Sequence, residues 1–164
     1  MIIRLTHKLA KKLHEELTPA LPLSKDPLLD WHATVLRAER TQYILLMNSV
    51  SRYSIAFPSR GIMNLTGFLQ QALSVLQDTM AADGLDIYPT RIEPHTRCIS
   101  VCKSLNSSAL TAMNHMAYFA SRYFARPDLA KSVARRMLNE VPCNPFDWRT
   151  PCEFIQAIAS LPNS

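Results

Sequence analysis

The alternation of apolar and polar residues predicts a sheet that begins at the N-terminus and continues in the first third of the chain. Residues 2–5, 31–38, 41–48 and 52–57 are predicted as strands, and 31–38 and 52–57 show the period of two that is typical of strands. The 41–48 segment is apolar on both faces, which favours a central position in the sheet. The connections between the last three strands are so short that only antiparallel hairpins fit them. These strands therefore form a meander.

Helical spacing of apolar residues dominates the remainder of the chain. A first helix begins near Thr6, with Leu9, Leu13 and Leu17 on one side and lysine–glutamate pairs four residues apart on its surface. Further helices are predicted from an Asn64 N-cap to Asp83-Gly84, from the end of SLNSS to about Tyr123, from Asp128, and from about Pro151. A fifth strand, RCISVCK, precedes the second long helix.

Together the elements predict one α+β domain over residues 1–164. The order is strand, helix, three-strand meander, helix and strand, which predicts a mostly antiparallel sheet covered by helices and a helical C-terminal third. A chain of 164 residues with 48% hydrophobic and 19% charged residues can bury a single core, so a disordered protein is excluded. No apolar run approaches the length of a membrane span, and charges interrupt the N-terminal segment. We therefore expect a cytoplasmic protein without membrane association.

Cysteine is the only residue type that raises the question of a metal. Cys98 and Cys102 lie in the predicted fifth strand, where four residues span roughly 13 Å, too far for two thiolates to share one zinc ion. Reduced, buried cysteines are favoured over disulfides or a metal site. We predict neither a metal nor a cofactor.

Positive charge is concentrated in residues 91–136. That segment contains eight basic and two acidic residues, whereas the whole chain has a formal charge of +5. Such an asymmetry is typical of a surface that binds phosphates, with RNA or DNA as the partner, although an idle basic surface fits equally well. The phosphate-binding candidates are Lys103, Asn106, Ser107, Arg122, Arg126, Lys131, Arg135 and Arg136.

The stretch KSLNSSA joins the fifth strand to a helix. Lys103, Asn106 and Ser107 would offer an ammonium, backbone N–H groups and hydroxyls to an anion at the helix start. Ordinary N-capping explains the same residues without a ligand and is favoured.

His32 and His115 are the candidate catalytic residues. Strand alternation places His32 on the opposite face from Trp31, and a buried structural role is favoured for it. His115 follows Asn114 on the second long helix. If His32, Lys103 and Asn114 converge, hydrolysis of a phosphodiester becomes chemically feasible.

Several segments resemble an uncharacterised bacterial family, a domain of unknown function. They are MIIRLTHKLAKKL, DWHATVLRAERTQYILLMNSVSRY, KSLNSSALTAMNHM and LNEVP, which together cover most of the chain. The family pattern falls on Trp31, His32, Ala33, Arg40, Asn48, Tyr53, Lys103, Asn106, Ser107 and Asn114. Thr34 replaces a usual Asn, and Ser107 replaces a frequent Arg. Some relatives carry the domain ahead of one that resembles a plasmid open reading frame, which hints at a nucleic-acid context.

Three functions remain open at this point. The leading hypothesis is a protein that binds nucleic acid or another polyanion through residues 91–136. The first alternative is a metal-independent nuclease or phosphoester hydrolase that uses His32 or His115. The second is a homo-oligomeric interaction protein, a homodimer for example, without catalysis, whose helix bears Met113, Met116, Tyr118 and Phe119.

Overall fold

A computed structural model describes residues 1–104, 107–141 and 149–161, except for the side chain of Ser107. The strands are Ile2–Leu5 (β1), Asp30–Ala38 (β2), Thr41–Asn48 (β3), Ser54–Pro58 (β4) and Ser100–Lys103 (β5). The helices are His7–Leu13 (α1), Leu65–Ala82 (α2), Ser107–Ala125 (α3), Lys131–Glu140 (α4) and Pro151–Ala159 (α5). Short helical turns lie at Pro27–Leu29, Tyr88–Ile92 and Glu93–His95. The predicted α+β class is confirmed.

The sheet has the strand order β4-β3-β2-β1-β5. β2, β3 and β4 form the predicted antiparallel meander, and β3 lies inside the sheet as its apolar sequence predicts. β1 pairs in parallel with β2 on one side and with β5 on the other. The antiparallel pairs have registers of eight and five residue pairs and the parallel pairs four each, so the sheet is mixed and mostly antiparallel.

One face of the sheet, which we call the first face, packs on α1, α2 and α5. Its strand residues include Ile3, Trp31, Ile44 and Ile55, all fully buried. The three helices contribute Leu9, Leu13, Phe68, Leu76, Ile155 and Ile158 to this core. The alternation in β2 therefore assigns Trp31 to the larger core.

The opposite face, which we call the second face, packs on α3 and α4. Tyr43, Leu45 and Met47 project from β3 and meet a smaller core. The helices supply Met113, Met116, Ala120, Phe124, Ala134 and Leu138. Helices therefore cover both faces, and α3 and α4 lie on the side opposite α1.

The first helix is shorter than predicted. Thr6 caps it, its hydroxyl accepting from the Leu9 N–H, but His14 adopts a left-handed backbone conformation (φ 57°) and ends it after Leu13. The predicted helical lysine–glutamate pairs are wrong, because Glu15 and Glu16 lie beyond the helix end.

The sequence predicted the start of α2 correctly but not that of α4. Asn64 caps α2 as predicted, and its side chain accepts from the Gly67 N–H at 2.9 Å. The predicted helix start at Asp128 is wrong: residues 127–129 form a turn, in which the Asp128 carboxylate accepts from Arg126, and α4 begins at Lys131.

The connector between α1 and β2 crosses the second face near β1. Thr18 bonds to β5: its hydroxyl donates to the Val101 carbonyl, and its own carbonyl accepts from the Lys103 N–H. This pairing covers part of the edge that β5 would otherwise expose. In the described part of the chain, no helix combines the length and apolar character that a membrane span requires.

Candidate functional site

His32 lies on the second face and is fully buried. Its Nδ1 is 2.8 Å from the Ser104 Oγ, while its Nε2 has no hydrogen-bond partner among the described residues. Burial lowers the pKa of His32 to about 4; the nearby Asp30 charge opposes this shift, and the Arg4 and Arg52 charges add to it. The ring is therefore neutral near pH 7. Its partner, Ser104, went unnoticed in the sequence because strand pairing brings together residues 72 positions apart.

The three residues whose convergence would favour hydrolysis do not share one accessible space. His32 is fully buried, whereas Lys103 and Asn114 are exposed. A substrate cannot reach the His32 ring in this conformation. His115 is exposed on α3, and its catalytic role stays a prediction.

A buried ion pair lies beside His32. The Arg4 guanidinium donates from Nε and Nη2 to the two carboxylate oxygens of Asp30, each at 2.8 Å, and to the carbonyls of Leu21 and Pro22. Burial by itself would raise the pKa of Asp30, but the bond from Arg4, together with donors from Ser49 and Ser24, holds it below its ordinary value. Because all of these bonds are made within the protein, the Arg4–Asp30 pair stabilises the connector between α1 and β2. It leaves few donors or acceptors for a ligand.

The structure separates the predicted phosphate-binding residues. Lys103 is exposed at the end of β5, while Arg135 donates to the Ala56 carbonyl of β4, at the opposite edge of the sheet. Asn106 and the side chain of Ser107 lie outside the described residues. The anion site at the start of α3 therefore stays a prediction.

Most of the basic side chains have partners within the protein. Arg91, Arg126 and Arg136 pair with Asp26, Asp128 and Glu140, respectively. Lys131 donates to the carbonyl of Phe124 at the end of α3. Arg97, Lys103 and Arg122 are exposed and have no side-chain partner in the described ranges.

One exposed strip runs along α3. His115, Tyr118, Phe119 and Arg122 are spaced 3, 1 and 3 residues apart, which places them on one side of a helix, and all four are exposed. Tyr118 is 61% exposed, a large fraction for an aromatic residue. We call these four residues the α3 strip. The sequence suggested phosphate binding for Arg122 and self-association for Tyr118 and Phe119, so it did not predict that they share one strip.

The residues of the family pattern divide into buried and exposed sets. Trp31 donates from its indole to the Leu28 carbonyl, and Asn48 orders the turn to β4 by accepting from the N–H groups of Val50 and Ser51. Arg40 and Asn114 are exposed. At least part of the pattern therefore maintains the fold.

Tyr53, another residue of the family pattern, makes a hydrogen bond to a half-buried carboxylate. Its hydroxyl donates to Asp83 Oδ2 at 2.7 Å, and burial raises the pKa of Asp83 above its ordinary value. Asp83 lines a groove of about 320 Å³ between α2 and α4, opposite Arg135 and Arg136. The sequence offered no signal for this groove, because its two sides are about 50 residues apart.

The described cysteines are free thiols. Cys98 is exposed and Cys152 is half-buried. Cys102 is buried, and its Sγ accepts from Arg4 Nη1 at 3.7 Å. Cys143 lies outside the described residues. Cys98 precedes β5, so the two cysteines of RCISVCK do not share a strand.

A family model described as a domain of unknown function (DUF6933) matches residues 2–154. The chain belongs to this family. The expected membership of an uncharacterised family is thereby confirmed. No curated protein has a matching sequence.

Among solved structures, the DUF6933 chain is similar to a chain in the cryo-EM structure of a simian T-cell lymphotropic virus intasome in complex with the PP2A regulatory subunit B56 gamma. The TM-score is 0.48 and the identity 15%, over 90% of this chain and 60% of that one. A likeness of this degree supports no conclusion about function.

Proposed function

We propose that the protein binds nucleic acid through phosphate contacts along α3. The observation that carries the proposal is Arg122, an exposed arginine without a side-chain partner in the described ranges, on a 19-residue helix that contains no acidic residue. A guanidinium in this setting attracts phosphate and has no carboxylate on its own helix to compete.

Neighbouring groups extend the positive surface towards the C-terminal end of α3. Arg126 is one helical turn beyond Arg122 and pairs with Asp128, but both side chains of the pair are more than half exposed. Solvent screens an exposed pair of this kind, so a phosphate can compete for the arginine. Lys131 lies at the same end, where its ammonium bonds to the Phe124 carbonyl.

The length of α3 defines a track for the ligand. A helix of 19 residues is roughly 28 Å long, and it begins four residues after the exposed Lys103. Arg122 and Arg126 mark the C-terminal end of the track, whereas Lys103 pairs with Leu5 in the β1–β5 register and projects towards the first face, away from α3. Arg135 and Arg136 lie on α4, where internal bonds occupy their Nε groups, and we assign them a lesser part.

A salt-dependent titration tests the proposal. Fluorescence anisotropy with labelled RNA and DNA oligonucleotides, between about 50 and 200 mM salt, should show affinity that falls steeply as salt rises. Arg122→Gln should weaken binding several-fold and make the plot of log K against log salt shallower by about 0.7 to 0.9, the loss expected for one phosphate contact.

Lys11→Gln is the matched control. Lys11 is exposed on α1, which covers the first face, so this variant removes the same charge from the side of the sheet opposite α3. Its affinity should stay close to that of the unchanged protein. Absence of binding at the lowest salt, or equal losses in both variants, would contradict the proposal.

A further inference from the structure

The aromatic side chains of the α3 strip point to a ligand class within the proposed function, on which this inference rests. We propose that Tyr118 and Phe119 stack on unpaired bases, so that the protein selects single-stranded over double-stranded nucleic acid.

Exposure of the two rings is the first observation. Tyr118 is 61% exposed and Phe119 36%, although α3 has a buried side that accommodates Met113, Met116, Ala120 and Phe124. Both rings therefore remain exposed to water, because other residues of α3 make its contacts with the core. Aromatic surface left in water at adjacent positions is typical of a binding site.

The arrangement of the rings is the second observation. Tyr118 meets Phe119 edge to face, with centroids 5.9 Å apart and planes at 65°. Phe119 in turn lies nearly parallel to Tyr123, at 6.3 Å and 20°. These neighbours support the orientation of Phe119 while Tyr118 keeps most of its surface accessible. A preoriented ring loses little conformational entropy when a base stacks on it.

The charged groups beside the rings indicate which ligand the α3 strip binds. Arg122 follows Tyr118 by four residues and Phe119 by three, so it lies beside both rings, and His115 lies on their other side. A ring for the base and a cation for its phosphate, one helical turn apart, are the two elements of single-strand binding surfaces.

A second copy of the chain is a poorer fit. A symmetric dimer formed through this strip would use the same patch twice and bring the positive groups of α3 towards each other without any acidic residue on that helix. Nucleic acid instead supplies the opposite charge.

Base pairing explains the expected selectivity. In a duplex each base is stacked on both sides and shows only its edges in the grooves, whereas a single strand can offer a base face to an aromatic ring. Phosphate contacts from Arg122 are available to either form. Loss of the rings should therefore affect the single strand alone.

The test compares a fluorescein-labelled single-stranded oligonucleotide with its duplex at one salt concentration. Tyr118→Ala should weaken single-strand binding by about tenfold and leave duplex binding unchanged, while Tyr118→Phe should retain the preference. Met63→Ala is the control, because Met63 is also 61% exposed but lies in the loop before α2.

The possible outcomes separate the two proposals. Equal affinity for both probes that falls in Arg122→Gln but not in Tyr118→Ala would overturn base stacking and leave nucleic-acid binding in place. If neither probe binds, both proposals fail. If sedimentation shows a dimer that Tyr118→Ala dissociates, the strip is an interface between copies and base stacking is wrong.

Discussion

At the scale of single residues, two neighbours in β2 have opposite environments. Trp31 enters the large core of the first face, while His32 is buried on the second face beside an ion pair. Period-two alternation predicts that their side chains separate, and this is confirmed. Alternation says nothing about the partner that each side chain finds. The bond from His32 to Ser104 exists only because β1 lies between β2 and β5.

The buried imidazole should make stability depend on pH. The pKa of His32 is about 4 in the folded protein against an ordinary 6.5, so the unfolded chain binds more protons between these values. Stability from this group is complete above pH 6.5 and is lost as the pH falls towards 4. The loss should approach about 3 kcal/mol, measured by urea unfolding at several pH values.

Substitutions of single histidines test whether His32 causes this loss of stability. His32→Gln removes the titrating group and should flatten the dependence between pH 6.5 and 4. His7→Gln, at an exposed position on α1, should keep it. An unchanged slope in His32→Gln would show that the imidazole is not the source.

At the scale of elements, α4 protects the exposed edge of β4. The Asn139 amide accepts from the Ser54 N–H at 2.8 Å and donates to the Ser54 carbonyl at 3.0 Å, as a neighbouring strand would. One turn earlier, Arg135 Nε donates to the Ala56 carbonyl. These bonds occupy backbone groups that would otherwise invite pairing with another chain. The sequence predicts α4 and β4 separately, but not that they meet.

Removal of the Asn139 amide should destabilise this edge. Asn139→Ala leaves the Ser54 N–H and carbonyl without these partners, and the free energy of unfolding should fall by roughly 1–3 kcal/mol. Asn114→Ala makes the same change at an exposed position of α3 and should stay within about 0.5 kcal/mol. Denaturant unfolding followed by circular dichroism compares them. Equal effects in the two variants would contradict the proposed protection.

At the scale of the whole molecule, one sheet serves two cores. Phe68 from α2 packs on the first face, and Leu45 from β3 belongs to the core of the second. Because the same strands border both cores, loss of either should disrupt the other. We therefore predict that the chain unfolds as one cooperative unit.

Two alanine substitutions test this cooperativity. Phe68→Ala and Leu45→Ala should each cost about 2–5 kcal/mol and move a single transition to lower urea concentration. Tryptophan fluorescence and far-ultraviolet circular dichroism should report the same midpoint in each variant. Two separate transitions, or a substitution that shifts only one of the two signals, would show that the cores unfold independently.

The sequence by itself determined the local features: the strand and helix types, the β2–β4 meander, the Asn64 cap and the α+β class. These depend on residues close in the chain, because periodicity, capping and short hairpins act over a few positions. Only the tertiary structure decided that β1 lies between β2 and β5, that His32 meets Ser104, and that Arg135 reaches β4 while Lys103 stays at the opposite edge. Those outcomes depend on strand pairing and helix packing between distant segments, for which the pattern of one sequence contains no local signal.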